Sequence, residues 1–207
     1  VSGFESYLLR PEVLLVRGLL AVATDNFDSV TEPRTREKLM RALGFFCGAR
    51  IVVKGREHES QHDLLADAIR SVTDNPLFLE SFFTNQIVPN VEPAMQRRLQ
   101  RALKVAKEAH GQGTLARLLE ALQIEAVVRE VFVSRQRRAD ALANLAGLSQ
   151  AAQAFGSARD YFLHLNAAEQ RQRELRSTAS LVLAHIGHVK GLEFDHVLIP
   201  YLEQGAF

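Results

Sequence analysis

The stretch RPEVLLVRGLLAVATDN, residues 10–26, decides the fold class. Pro11 suits the first helical position, where its missing N–H would have no partner. Glu12 suits the positive end of the helix dipole. Leu14, Leu15, Gly18, Leu19 and Val22 recur at helical spacing and mark one apolar face. Asp25-Asn26 ends the run.

The same pattern repeats outward along the chain. A second helix is expected from near Thr31, with Pro33 in its first turn and Leu39, Leu43 and Phe46 on its apolar side. Further helices are expected at about 58–73, 76–84, 91–109, 114–133, 137–153 and 157–175. Asn75-Pro76 and the Asn90 to Pro93 stretch supply starts, and Gly111-Gln112-Gly113 supplies a break. Ile51-Val52-Val53 reads as a short strand or a buried linker. Leu181-Val182-Leu183-Ala184 and Val197-Leu198-Ile199 change the pattern to short apolar runs, as in parallel strands buried on both faces. Two strands cannot form such a sheet alone, so its remainder is expected elsewhere. The expected fold is mainly α, with a small and incomplete α/β remnant of parallel strands.

The bulk numbers narrow the partners. The chain has 207 residues, 47% hydrophobic and 24% charged, as in an ordinary folded protein. A net charge of +1 gives no global field toward nucleic acid or membrane, so any basic surface is local. Cys47 is the one cysteine, which excludes an internal disulfide framework and fits a reducing, cytoplasmic setting. No apolar run is long enough to span a bilayer, and no signal pattern opens the chain, so no membrane partner is expected. The chain opens on Val1 and closes on Phe207 just after an apolar run, so a piece of a larger protein is expected.

The run HVKGLEFDHVLIP, residues 188–200, is a polar turn feeding an apolar strand. Lys190-Gly191-Leu192-Glu193-Phe194 there resembles motif V of the UvrD/Rep-type superfamily 1 DNA helicases. Leu198-Ile199-Pro200 and Leu202 to Phe207 resemble that family's following strand and its L/M-E-E-G-x-F. Tyr7 to Val13 resembles the family's F-x-x-P-E-V helix. Arg138 to Leu148, with Asn144-Leu145, and then Phe162-Leu163 resemble its R-x-x-N-L/I-x-x-L … F-L pattern. The order is right, and the region from about 30 to 130 matches only as helical and apolar. The family's turn carries His three residues before the Lys; here Gly187 stands there, and His188 follows it.

The resemblance implies a helical accessory (2B-like) insertion at about 26–175. Pieces of a RecA-like second motor domain would flank it at 1–25 and 176–207. It implies that Glu193 accepts a hydrogen bond from the nucleotide ribose, a role for an acceptor-only carboxylate. Gly191 would permit the tight turn. His188 and Lys190 would lie near single-stranded DNA, and cations there contact phosphate without reading sequence. It further implies ATP and Mg²⁺ in the full-length parent, single-stranded and junction DNA as partners beside the rest of the motor, and a nucleoid-associated place in the cytoplasm. No G-x-x-x-x-G-K-[ST] occurs, no Mg²⁺-holding acidic motif follows a strand, and the chain stops before the family's transition-state arginine. This piece is therefore expected to bind no nucleotide cofactor alone and to lack ATPase activity. The bland alternative is that Gly191 serves a turn, Glu193 caps a short helix and Phe194 packs in a core.

Two other constellations compete. Arg97, Arg98, Arg101, Lys104 and Lys107 lie at helical spacing, and Arg135, Arg137 and Arg138 form a second basic group. They read as contacts to the DNA backbone or as solvated faces; the R-x-x-N context gives Arg138 a structural role. His58-Glu59-Ser60-Gln61-His62 is a literal H-E-x-x-H, which on a helix would offer two imidazoles to zinc. Its polar surroundings read instead as an exposed first turn, and no metal is expected. Cys47 reads as a small buried residue, and Phe78, Phe82 and Phe83 as packing core. The functions weighed are thus a helicase fragment, a noncatalytic interaction scaffold derived from one, and a zinc hydrolase.

Overall fold

A computed structural model describes residues 7–108, 113–178 and 196–198. Its helices are α1 (Pro11–Thr24), α2 (Pro33–Cys47), α3 (Gln61–Asp74), the short α4 (Leu79–Phe82), α5 (Pro93–Glu108), α6 (Thr114–Leu122), α7 (Ile124–Val131), α8 (Arg135–Ala152) and α9 (Ala158–Thr178). The fold is mainly α, and no strand occurs among the described residues.

α1 is the axis of the body. Every residue from Glu12 to Val22 is buried, as expected of a helix that is apolar nearly all round. α2, α5, α8 and α9 all pack against it. Residues 11–24, which the resemblance groups with a motor-domain piece, therefore share one core with the helical body. Pro11 occupies the first turn, and Asp25 closes the helix in the left-handed conformation at φ 49°. α2 likewise starts on Pro33 and ends on left-handed Gly48.

Several elements differ from the sequence expectation. α3 starts at Gln61 rather than near 58, because the Ser60 side chain caps it by accepting the Asp63 N–H at 3.2 Å. The expected helix at 76–84 is one short α turn between 3₁₀ turns at Pro76–Phe78 and Val88–Asn90, with a π turn at Phe83–Ile87. Phe83 is buried and Phe82 partly so, while Phe78 is exposed, which corrects its assignment to the core. The expected 114–133 helix breaks at Gln123, whose φ of 54° is left-handed. The break lets α6 bury Leu115, Leu118, Leu119 and Leu122, while α7 turns Val127 and Val128 into the same core.

Ile51-Val52-Val53 is a linker and not a strand: Ile51 is buried, and both valines are exposed. The Gln61 side chain replaces a strand partner. Its Oε1 accepts the Ile51 N–H at 2.9 Å, and its Nε2 donates to the Ile51 carbonyl at 3.0 Å. In the expected C-terminal strands, Leu181 to Ala184 and Ile199 lie outside the described residues. Val197 and Leu198 are in no strand, and they are 67% and 88% exposed. A strand exists only through backbone pairing with a neighbour, and no such pairing occurs among the described residues.

Cys47 is buried, as the sequence implied, and burial pushes its thiol up to about 12. Tyr161, buried and donating to the Leu148 carbonyl at 3.0 Å, is likewise pushed up to about 12 by burial. Both folded pKa values lie above the unfolded ones, so the neutral forms stabilise the fold fully below about pH 8.5, and that stability is lost as pH rises toward the folded values. The expected slope is about 1.4 kcal/mol per pH unit for Cys47 above about pH 8.5, with Tyr161 adding a similar slope above about pH 10. Urea titrations followed by far-UV circular dichroism should show this fall, and Cys47→Ala should abolish the part between about pH 8.5 and 10. A flat profile in that window would mean that the thiol reaches water.

Candidate nucleic-acid interface

α5 buries Met95, Leu99 and Ala102 against the core, which leaves the opposite side outward. Arg97, Arg101 and Lys104 are exposed there at i, i+4 and i+7, one ridge of the helix. Arg97 and Arg101 make no ion pair among the described residues; Lys104 also interacts within the chain. Arg98, also expected from the sequence as a DNA contact, is placed differently from Arg97 and Arg101. It points toward α7, where Nη1 and Nη2 donate to Glu130 Oε1 at 3.1 Å and Nε donates to Gln123 Oε1 at 3.1 Å. Its side chain is only 13% exposed, so it ties α5 to the break between α6 and α7. The side chain of Lys107 lies outside the described residues. In the second basic group, Arg135 and Arg137 are exposed. Arg138 donates from Nε to the Phe132 carbonyl at 2.5 Å, the structural role its sequence context suggested.

The chain enters the body along α1 and leaves it along α9, and polar groups stitch the two together. Arg17 is fully buried. It donates to Glu169 Oε2 at 2.5 Å, to Asn166 Oδ1 at 3.0 Å and to the Leu8 carbonyl at 3.0 Å. Thr35 of α2 donates to the other Glu169 oxygen at 2.7 Å. Burial pulls the Arg17 guanidinium below its ordinary range, and Glu169 pulls it back. Its Nε has no partner among the described residues, so even this pair is incompletely satisfied. A cleft of about 150 Å³ opens beside it, lined among others by Ser29, Val30, Asn166 and Arg173. Arg173 closes on Glu32 at 2.9 Å.

A second tie joins the chain start to α8. Asn144 Nδ2 donates to Glu12 at 2.5 Å, Asn144 Oδ1 accepts from Arg10 at 2.9 Å, and the Tyr7 hydroxyl donates to the Asn144 carbonyl at 2.7 Å. Arg10 lies 5.8 Å from the centroid of the Tyr7 ring. Burial first, and then the Glu12 charge, raise the Tyr7 pKa. The stretches at 7–13 and 138–148, singled out separately in the sequence, thus meet through named side chains.

His58-Glu59-Ser60-Gln61-His62 does not form the helical pair that zinc needs. His58 and Glu59 precede α3, Glu59 is bound by Arg56, and His62 is 82% exposed beside Asp63. No group of three metal-ligating side chains gathers among the described residues. Gly191, Glu193, His188 and Lys190 lie outside the described residues. Among those described, no helix is long and apolar enough to cross a membrane. No family model, curated protein or solved structure matches the chain.

Sequence reading missed the Arg17–Glu169 pair and the Asn144 hub, whose partners stand 152 and 132 positions apart. The one local signal was an arginine inside an otherwise apolar helix, which demands an acidic partner somewhere.

Proposed function

We propose that this chain is part of an ATP-dependent DNA helicase of the UvrD/Rep type. It supplies the helical accessory body, DNA-junction contacts and part of the nucleotide site, and the ATPase core is supplied elsewhere. The observation that carries this reading is the ordered resemblance of Tyr7 to Val13, Arg138 to Leu148 and Lys190 to Phe207 to one family. The geometry supports it in a second way. A helical insertion must leave its host domain close to where it entered, and here the stretches next to the expected bounds near 26 and 175 lie side by side: Asn166 donates to the Ser29 hydroxyl at 2.9 Å, and Arg173 pairs with Glu32 at 2.9 Å. On this reading the parent binds ATP and Mg²⁺, Glu193 and Gly191 serve the nucleotide, and His188 and Lys190 serve the single strand. Arg97, Arg101 and Lys104 meet the duplex backbone. On this reading the exposed Val197 and Leu198 are apolar surface for the rest of the motor to cover.

The test is fluorescence anisotropy of a labelled single-strand/duplex junction against the purified chain across a salt series. Binding should weaken with salt. Arg97→Glu/Arg101→Glu should lower affinity by about tenfold or more and reduce the log–log salt slope by about two, near 0.9 per lost phosphate contact. Absence of binding at low salt would reduce the α5 ridge to a solvated face and leave the helicase reading on the sequence resemblance alone.

A further inference from the structure

The outer face of α2 carries a stripe that the α5 ridge does not explain. Arg34, Lys38, Arg41 and Phe45 are all exposed, at i, i+4, i+7 and i+11. At 100° per residue they fall within an arc of roughly 60° and extend over roughly 16 Å of helix. The other α2 arginine is spent internally: Arg36 donates to the carbonyls of Val30, Thr73 and Asp28. Glu37 pairs with Arg41 at 2.8 Å, while Arg34 and Lys38 make no ion pair among the described residues. The stripe ends on an aromatic ring that is 61% exposed, although its neighbour Phe46 is buried. Phe46 holds the Phe45 ring edge-on at a centroid distance of 5.5 Å. An open aromatic face at the end of a cationic track is the combination that single-stranded nucleic acid uses, with phosphates along the cations and an unpaired base on the ring. A duplex keeps its bases stacked and offers the ring nothing.

We propose that the Arg34–Lys38–Arg41–Phe45 face of α2 is a binding surface for single-stranded nucleic acid, with a base stacked on Phe45. The surface lies on a different helix from the α5 ridge and does not rest on the helicase reading.

The chain contains no tryptophan, so Phe45→Trp places a single reporter on the surface. An oligo-dT strand is expected to quench that fluorescence, and a duplex of the same length or heparin is not. Arg34→Glu/Lys38→Glu in the Phe45→Trp background should lower the salt slope by about 1.4, near 0.7 per single-strand contact. In the otherwise native chain, Phe45→Ala should weaken oligo-dT binding roughly tenfold by anisotropy. All these side chains face outward, so unchanged far-UV dichroism verifies folding. Quenching absent with oligo-dT, or equal with heparin or duplex, overturns the proposal. Adding Arg97→Glu/Arg101→Glu separates the two surfaces: it should weaken junction binding by about tenfold or more and leave the indole quenching intact, and loss of the quenching with it would also overturn the proposal.

Discussion

Glu169→Ala is expected to cost about 3–5 kcal/mol of stability, because it strands a fully buried guanidinium. Arg17 is 0% exposed, and Glu169 is the carboxylate that neutralises it. Removing Glu169 also takes the acceptor from the Thr35 hydroxyl, itself buried. Asn166 and the Leu8 carbonyl would remain, but neither neutralises charge. The midpoint of urea unfolding, followed by far-UV dichroism, measures the loss, and a thermal scan should fall by about 10 °C or more. The pair need not be a net stabiliser. Arg17 Nε is already without a partner among the described residues, and desolvating two charges offsets much of their attraction. Arg17→Met/Glu169→Leu/Thr35→Val, which removes the charges and the hydroxyl together, should therefore cost far less than Glu169→Ala alone. If Glu169→Ala costs under about 1 kcal/mol, water reaches the guanidinium and the site is not sealed.

Gly18→Val is the other large expected effect, about 2–4 kcal/mol, through overpacking between α1 and α2. A Cβ at Gly18 would stand 2.7 Å from Leu43 Cγ and 2.9 Å from Leu43 Cδ1. Leu43 is fully buried, so it has no free direction in which to move. A mid-helix glycine costs about 1 kcal/mol against alanine, so its presence is explained by the close approach and not by helix formation. Leu43→Ala alone should also destabilise, by about 2–5 kcal/mol. The two changes should be strongly non-additive, because the space lost by Leu43 takes up the valine. Additive losses in the double variant would place the strain elsewhere.

The basic ridge shows why a candidate site was only partly legible. Helical spacing placed Arg97, Arg98, Arg101 and Lys104 on one helix, but side chains at adjacent positions point 100° apart. Arg97 and Arg101 stay outward, while Arg98 reaches Gln123 and Glu130, 25 and 32 positions away. Local spacing sets Arg98 off the ridge, beside the buried face of Leu99 and Ala102, but the acceptors it meets lie far along the chain. The same holds for H-E-x-x-H: the spelling was present, but a serine cap moved the helix start beyond His58.

Local sequence was enough for the mainly helical class, because apolar spacing, Pro11 and Pro33 at helix starts, and glycine or asparagine breaks are properties of short stretches of chain. It was also enough to read Cys47 as a packing residue, and the R-x-x-N resemblance gave Arg138 a structural role, which the bond to the Phe132 carbonyl specifies. Packing in three dimensions established that α1 is the shared axis, that Arg17 finds Glu169, and that Asn144 ties the chain start to α8. Those outcomes depend on which buried surfaces and buried charges meet. A charge taken from water is satisfied by proximity in space, and the partners here stand more than a hundred positions apart, beyond any local pattern.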